Sequence, residues 1–163
     1  MPNSLLRTDK EIAEIYQRHK NTIYRVCFAH MKNPGDAEDM LQETFFRLIK
    51  AGAAFTSPEH EKAWLIRVAS NLCKNSLRHW WRRTVNLGDQ VEHGASFEPE
   101  IDGTLSAVMG LPAKYKTVVY LYYYEGYNSA EIAKMLAKPQ STIRNYLSEA
   151  RKVLREKLGG DLA

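Results

Sequence analysis

Apolar positions along this chain recur at steps of three and four, the spacing of one helix face, and no segment alternates in the manner of a strand. From about Asp9 to Met31, Ile12, Ile15, Tyr16, Ile23, Val26, Cys27 and His30 mark an inner side, and Thr8 with Glu11 predicts a capping box. Asn33-Pro34-Gly35 reads as a turn. Asp36 then reads as the cap of a second helix, with Asp39 at its third position, ending near Ala51 and burying Leu41, Phe45, Leu48 and Ile49. After a loop through Phe55, Ser57-Pro58 opens a long third helix, serine as cap and proline at the first helical position. That helix reaches Trp81 or beyond, with Leu65, Val68, Ala69, Leu72 and Leu77 as its seam.

The period is lost between Thr84 and Gly103, where Gly88, Gly94, Gly103 and Pro99 fall among acids. This stretch is a flexible acidic linker between two small helical domains, 1–83 and 104–163, and the fold class is all-α. Beyond it, Leu105 to Leu111 predicts a short helix, and Pro112 opens another through Tyr124 that Gly126 ends. Asn128 and Glu131 form a second capping box, ahead of Ile132, Ala133 and Leu136. Across Ala137, Lys138 and Pro139 a last helix follows, apolar at Ile143, Leu147, Ala150, Leu154 and Leu158. Two short helices, a tight turn and a polar-basic second helix describe a helix-turn-helix, which lays its second helix in the major groove of DNA.

Composition sharpens this. The chain has 163 residues, 44% of them hydrophobic, which suits a folded protein rather than a disordered one. The net charge of +4 is a weak pointer to nucleic acid, but its distribution is telling. Between Trp64 and Arg83 stand Arg67, Lys74, Arg78, Arg82 and Arg83 without one acid, and from Val85 to Met109 stand five acids without one lysine or arginine. Uncompensated like charges repel unless a polyanion arrives. Cys27 and Cys73 read as small buried apolar residues, and two lone thiols suit a reducing cytoplasm. The cysteines and scattered histidines lack ligand spacing, so neither a metal nor a cofactor is expected. No apolar run approaches membrane-spanning length, so a cytoplasmic protein without membrane insertion is expected.

Three faces carry candidate chemistry. On the second helix, Asp39, Gln42, Glu43 and Phe46 share a side away from Leu41 and Phe45. A plain solvated face, with acids near the helix N-terminus, accounts for that segment taken by itself. On the third, Trp64, Arg67, Asn71, Asn75 and Arg78 form one stripe, flanked by Lys74, Arg82 and Arg83. It offers an aromatic to stack, amides to read a base edge and cations for phosphates, although Trp64 also suits a core. On the last helix, Ser141, Thr142, Arg144, Asn145, Tyr146 and Ser148 are the early residues able to reach a groove. Arg144 suits guanine and Asn145 adenine; Tyr146 can stack on the backbone or touch a thymine methyl. Arg151, Lys152 and Arg155 lie farther along, toward phosphates. Glu149 is expected to accept from a cytosine amine or to pair with an arginine.

These pieces, in this order, resemble the extracytoplasmic-function (ECF) sigma factors of bacterial RNA polymerase, in the sigma-70 family. D-A-E-D-M-L-Q-E-T-F-F-R-L is similar to the family's polymerase-binding motif in region two. A-W-L-I-R-V-A-S-N-L-C-K-N-S-L-R is similar to its promoter −10 helix. L-P-A-K-Y-K-T-V-V-Y-L-Y-Y-Y-E-G-Y-N-S-A-E-I-A-K-M-L followed by S-T-I-R-N-Y-L-S-E-A-R-K-V-L-R is similar to region four. The resemblance implies a non-enzymatic promoter-specificity subunit. Its region two would grip the clamp of the polymerase β′ subunit through Asp39, Gln42 and Glu43, and capture the −10 element through Arg67, Asn71, Lys74, Asn75 and Arg78. Its region four would grip the β flap and read the −35 element through Arg144, Asn145 and Tyr146, with Arg151, Lys152 and Arg155 meeting either phosphates or the flap. An anti-sigma protein that covers the polymerase surfaces is a further implied partner. Three positions depart from the family. Lys138 stands where the turn is usually apolar, Tyr146 where arginine or another polar residue is common, and Glu149 where a base is frequent.

A stand-alone helix-turn-helix regulator would share the last two helices but needs a ligand or dimer domain ahead of them, where this chain has a basic stripe. An enzyme reading finds no nucleophile–base pairing, metal spacing or phosphate-binding glycine loop in the sequence.

Overall fold

The computed structural model describes residues 7–83 and 103–158, with side chains described for 7–77 and 103–157. The linker stretch 84–102 lies outside the described residues, as do the side chains of Arg78, Trp80, Trp81, Arg82, Arg83 and Leu158. Among the described residues every regular element is helical. The chain divides into two compact units, Met1–Pro99 and Glu100–Ala163.

The first unit holds α1 (Asp9–Met31), α2 (Pro34–Ala51) and α3 (Pro58–Arg83), each packed on the other two. The capping box of α1 forms as read. Thr8 accepts from the Glu11 N–H at 3.1 Å, and Glu11 accepts in return from the Thr8 N–H at 3.0 Å. The start of α2 differs from the reading. Its cap is Asn33, whose side chain accepts from the Asp36 N–H at 2.8 Å; Pro34 and Gly35 are already helical. Proline needs no backbone partner there and carries a helical φ, so the apparent turn is an N-terminus. Asp36 sits inside that first turn and accepts from the Asn33 amide at 2.6 Å. On α3, Ser57 caps as read, accepting from the His60 N–H at 3.1 Å.

Ile15, Ile23, Val26, Leu41, Phe45, Leu48, Leu65, Ile66 and Ala69 make the core of this unit. Ile12 and Tyr16 are only half-buried, and Val68, Leu72 and Leu77 likewise. The second half of α1 is instead buried nearly all round, including Tyr24, Phe28 and Ala29, because two helices cover it. Ile49, read as buried, is exposed. Cys27 and Cys73 meet in the core; burial first, and then their mutual hydrogen bond, push the Cys27 thiol well above its ordinary range. Glu61 is also buried, accepting from Arg18 Nη1 on α1 at 2.7 Å and lying 2.7 Å from His19 Nε2.

The second unit holds α4 (Gly103–Met109), α5 (Ala113–Val119), α6 (Ser129–Leu136) and α7 (Gln140–Leu158). Gly103, read as linker, is the first residue of α4. The helix opened by Pro112 is not uniform. After Val119 it widens into a π-helical turn, Tyr120–Tyr124, in which the Glu125 N–H reaches back five residues to the Tyr120 carbonyl at 3.2 Å. Gly126 ends it with φ +84, a conformation open to glycine at little cost. Leu105, Val108, Leu111, Val118, Leu121, Ile132, Ile143, Leu147, Ala150 and Leu154 form its core. Lys157 of α7 donates to the Gly110 carbonyl in the α4–α5 turn.

Candidate nucleic-acid interface

Helix α7 is placed by the element before it. Asn128 accepts from the Glu131 N–H at 2.8 Å while Glu131 accepts from the Asn128 N–H at 2.9 Å, so the capping box of α6 is complete. Ala137 then takes a left-handed conformation (φ 55), which turns the chain sharply into Pro139. Such a conformation costs an alanine about 1 kcal/mol, carried by the packing of α6 on α7. Gln140 donates to Ser129 Oγ at 3.1 Å, tying the start of α7 to the start of α6.

The seam Ile143, Leu147, Ala150 and Leu154 is buried and fixes the rotation of α7. Ser141, Arg144, Asn145, Ser148, Arg151 and Lys152 are exposed, while Thr142 and Tyr146 are half-buried. The Tyr146 ring lies edge-on to Tyr115 of α5, 5.5 Å between centroids, so most of its area is spent on packing. Glu149 pairs with Lys152 at 3.5 Å rather than with an arginine. Both lie exposed, so the pair contributes little to folding. Arg151 donates through Nε and Nη2 to the Tyr123 phenol at 3.4 and 3.3 Å, and that hydrogen bond raises its pKa.

On α3 the stripe forms as one face, with Asn71 and Asn75 exposed and Trp64, Arg67 and Lys74 half-buried. Arg78, Arg82 and Arg83 continue the same helix. The loop before α3 adds a residue that sequence reasoning missed. Phe55 lies 5.8 Å from the Trp64 ring and 5.3 Å from His60, with the Arg7 guanidinium 4.7 Å above it. Nothing local marks Phe55, since it stands in a loop without a period and Arg7 comes from another part of the chain. The result is a partly exposed aromatic platform with a cation beside it, ahead of the acid-free stretch from Trp64 to Arg83.

On α2, Asp39, Gln42 and Phe46 are exposed, and Glu43 is half-buried with Arg47 at 3.4 Å. The exposed Ile49 continues this face and Lys50 stands 4.4 Å over the Phe46 ring. Phe46 and Ile49, both close to half exposed, form an apolar end to an acidic stripe. A solvated face has no use for two such side chains together, whereas a protein partner does. Among the described residues no cluster of histidine, cysteine and carboxylate is suited to a metal. No described helix is long and apolar enough to cross a membrane.

Residues 15–83 match the family description Sigma-70 region 2, and residues 104–154 match Sigma-70, region 4. The ECF RNA polymerase sigma factor SigM of Bacillus subtilis is 30% identical over 155 residues, covering 88% of this chain and 93% of its own. RNA polymerase sigma factor SigV of the same organism is 27% identical over 143 residues, covering 86% of each. Among solved structures, the sigma factor RpoE in complex with the anti-sigma factor NepR, from Bartonella quintana, superposes with a TM-score of 0.68 at 19% identity, covering 93% of this chain and 99% of that one. CnrH in complex with the cytosolic domain of CnrY gives 0.64 at 19% identity, covering 94% and 91%. At these identities the structures speak for the fold.

Proposed function

The chain belongs to the ECF sigma factors of the sigma-70 family, and from that premise we propose how its surfaces divide the work of promoter recognition. As a sigma factor it directs promoter-specific transcription with RNA polymerase. The reading that follows assigns 1–83 to region two, 84–103 to the linker and 104–163 to region four.

The α2 face of Asp39, Gln42, Glu43, Phe46 and Ile49 docks the β′ clamp, its acids supplying selectivity and its apolar end supplying buried area. The α3 stripe captures the separated −10 strand. Trp64 and Phe55 present ring surface to unstacked bases, Asn71 and Asn75 meet base edges, and Arg67, Lys74, Arg78, Arg82 and Arg83 follow the phosphates. The exposed start of α7 reads the −35 duplex through Ser141, Arg144, Asn145 and Ser148, while Arg151 and Lys152 meet the backbone. Thr142 and Tyr146 act from the flank. The second unit also grips the β flap. These are binding tasks, carried out in the bacterial cytoplasm, and the chain performs no bond chemistry of its own.

The observation that carries this reading is the pairing, on one chain, of a helix-turn-helix with a second helix whose run from Trp64 to Arg83 is basic and free of acids and begins beside aromatics. A stand-alone regulator has no use for the second. The sigma factor RpoE, of the same fold, is found with the anti-sigma factor NepR, and CnrH with the cytosolic domain of CnrY. A protein of that kind is the proposed regulator here, covering the α2 face. The deciding experiment is capture of purified core polymerase by the immobilised chain. Stable holoenzyme that initiates at a defined promoter supports the reading; duplex binding without any core affinity favours the stand-alone regulator.

A further inference from the structure

One contact in the second unit extends the role given to Arg151 above to a residue so far without one. Tyr123 and Arg151 are 28 residues apart in sequence, and the phenol oxygen accepts from two nitrogens of the guanidinium, at 3.4 and 3.3 Å. Both side chains are exposed, Tyr123 at 46%. An exposed pair of this kind contributes little to folding. Its geometry has another consequence. A phenol that accepts still has its own proton to donate, and a guanidinium bonded through two nitrogens still has Nη1 open.

The backbone is shaped to make the pair. The π-helical turn Tyr120–Tyr124 closes its hydrogen bond over one more residue than an α-helix, and such turns concentrate at functional positions. Tyr120 and Leu121 remain buried in it, while Tyr123 points outward toward α7. Tyr122 lies edge-on to Tyr123, 4.9 Å between centroids, and braces the ring. On α7, Arg151 follows Arg144 by seven residues, two turns along the same flank and about 10 Å farther down the axis. A helix whose start lies in a groove brings a side chain at that place to the groove's wall, which is phosphate.

We infer that Tyr123 and Arg151 together form a binding site for one backbone phosphate of the −35 duplex, Tyr123 fixing the guanidinium and donating its own O–H to the same phosphodiester. The site rests on the reading of α7 as the −35 helix and adds a residue from outside the helix-turn-helix. Arg151 supplies the charge, and the phenol removes the rotamer freedom that an exposed arginine otherwise loses on binding. Being a backbone contact, the clamp adds affinity without sequence preference.

The test uses holoenzyme assembled from core polymerase and the full chain, with binding to a linear promoter duplex measured across a salt series. Arg151→Ala lowers the slope of log affinity against log salt by about 0.9, one duplex phosphate's worth. Tyr123→Phe keeps the ring and loses the O–H, weakening promoter binding by about fivefold at every promoter sequence. The double variant is little worse than Arg151→Ala, because Tyr123 acts through the same phosphate. The clamp is overturned if Tyr123→Phe binds like the parent at every salt, if the two losses multiply, or if Tyr123→Phe weakens core binding instead. Arg144→Ala and Lys152→Ala run alongside. If they weaken promoter binding and Tyr123→Phe does not, the clamp alone fails; if none of the four does, the reading of α7 has failed with it.

Discussion

Helix α3 carries no acid from Trp64 to Arg83, whereas α7 interleaves Glu149 and Glu156 with its arginines and lysines. The first helix begins at an aromatic platform, Phe55 beside Trp64; the second begins at a hydrogen bond between Gln140 and Ser129 and shows a small polar start. Single-stranded DNA is flexible, so its binding surface needs ring faces and an unbroken positive field more than exact placement. Duplex DNA is rigid and its base edges are read by forked donors held in register. On the proposed reading α7 meets the duplex, and two of its charges are placed individually: Lys152 by Glu149, Arg151 by Tyr123. On the proposed division, an acid-free basic run serves the separated strand, and charges set among acids and a phenol serve the duplex.

The sharpest way to break this comparison is to release the rotation of α7. Ile143 is fully buried at the start of its seam, and Ile143→Ala should cost roughly 2–5 kcal/mol of stability in the second unit. Selection of the −35 sequence should collapse while affinity for core polymerase through the α2 face persists in part. A variant that keeps its −35 preference, measured by selection from a promoter library, would show that α7 is not held by this seam.

A smaller effect separates reading from holding within α7. Arg144→Ala should cost about 1–3 kcal/mol at the preferred −35 element and relax choice at one base pair. Lys152→Ala should weaken all sequences alike and lower the salt slope. Library selection with both variants checks this, and an unchanged base preference for Arg144→Ala takes Arg144 out of the reading role.

On α3 the corresponding split is between Asn75 and Lys74. Lys74→Ala should reduce the salt slope of open-complex formation by about 0.7, the single-strand value, at every promoter tested. Asn75→Ala should leave that slope unchanged and alter base choice in the −10 element. Equal effects of both on salt dependence would mean that α3 does not distinguish phosphates from bases as α7 does.

What the sequence discloses follows the same divide between local and distant. Both capping boxes, Thr8–Glu11 and Asn128–Glu131, were legible because the partners are three residues apart. The seams of α6 and α7 were legible because one helix face is a period. The capping role of Asn33 is hidden although Asn33-Pro34 has the same logic as Ser57-Pro58, because the following glycine reads as a turn. Ile49 was counted as core by spacing, which cannot tell where a partner helix stops covering a face. The π turn left no trace, since a run of tyrosines has no period to break. Tyr115 with Tyr146 and Tyr123 with Arg151 depend on packing between distant segments, which no pattern in the chain records, and Phe55 meets Trp64 across a loop without a period.

The smallest effect concerns how the two helices are anchored. The first turn of α3 is held to α1 by buried Glu61, between Arg18 and His19. Burial lowers the His19 pKa; the hydrogen bond and charge of Glu61 work against it, while Arg18 and Lys62 add to it. The folded protein therefore binds fewer protons at His19 than the unfolded chain, whose histidines titrate near 6.5, so stability rises with pH across that range. The contribution is complete above about 6.5 and is lost as pH falls through the lowered folded value. From 103 to 163 the sequence has no histidine, so the anchoring of α7 has no counterpart to this term. Melting curves between pH 7.5 and 5.5 should show the parent losing stability relative to His19→Gln, in which an amide can donate to Glu61 without ever charging (a window of about two units around the histidine range). Helix α3 should loosen first, seen as weaker −10 capture at mild acid, while −35 duplex binding holds. Parallel melting of parent and variant would remove His19 from that anchor, and equal acid loss at both elements would mean that the two helices are held in the same way.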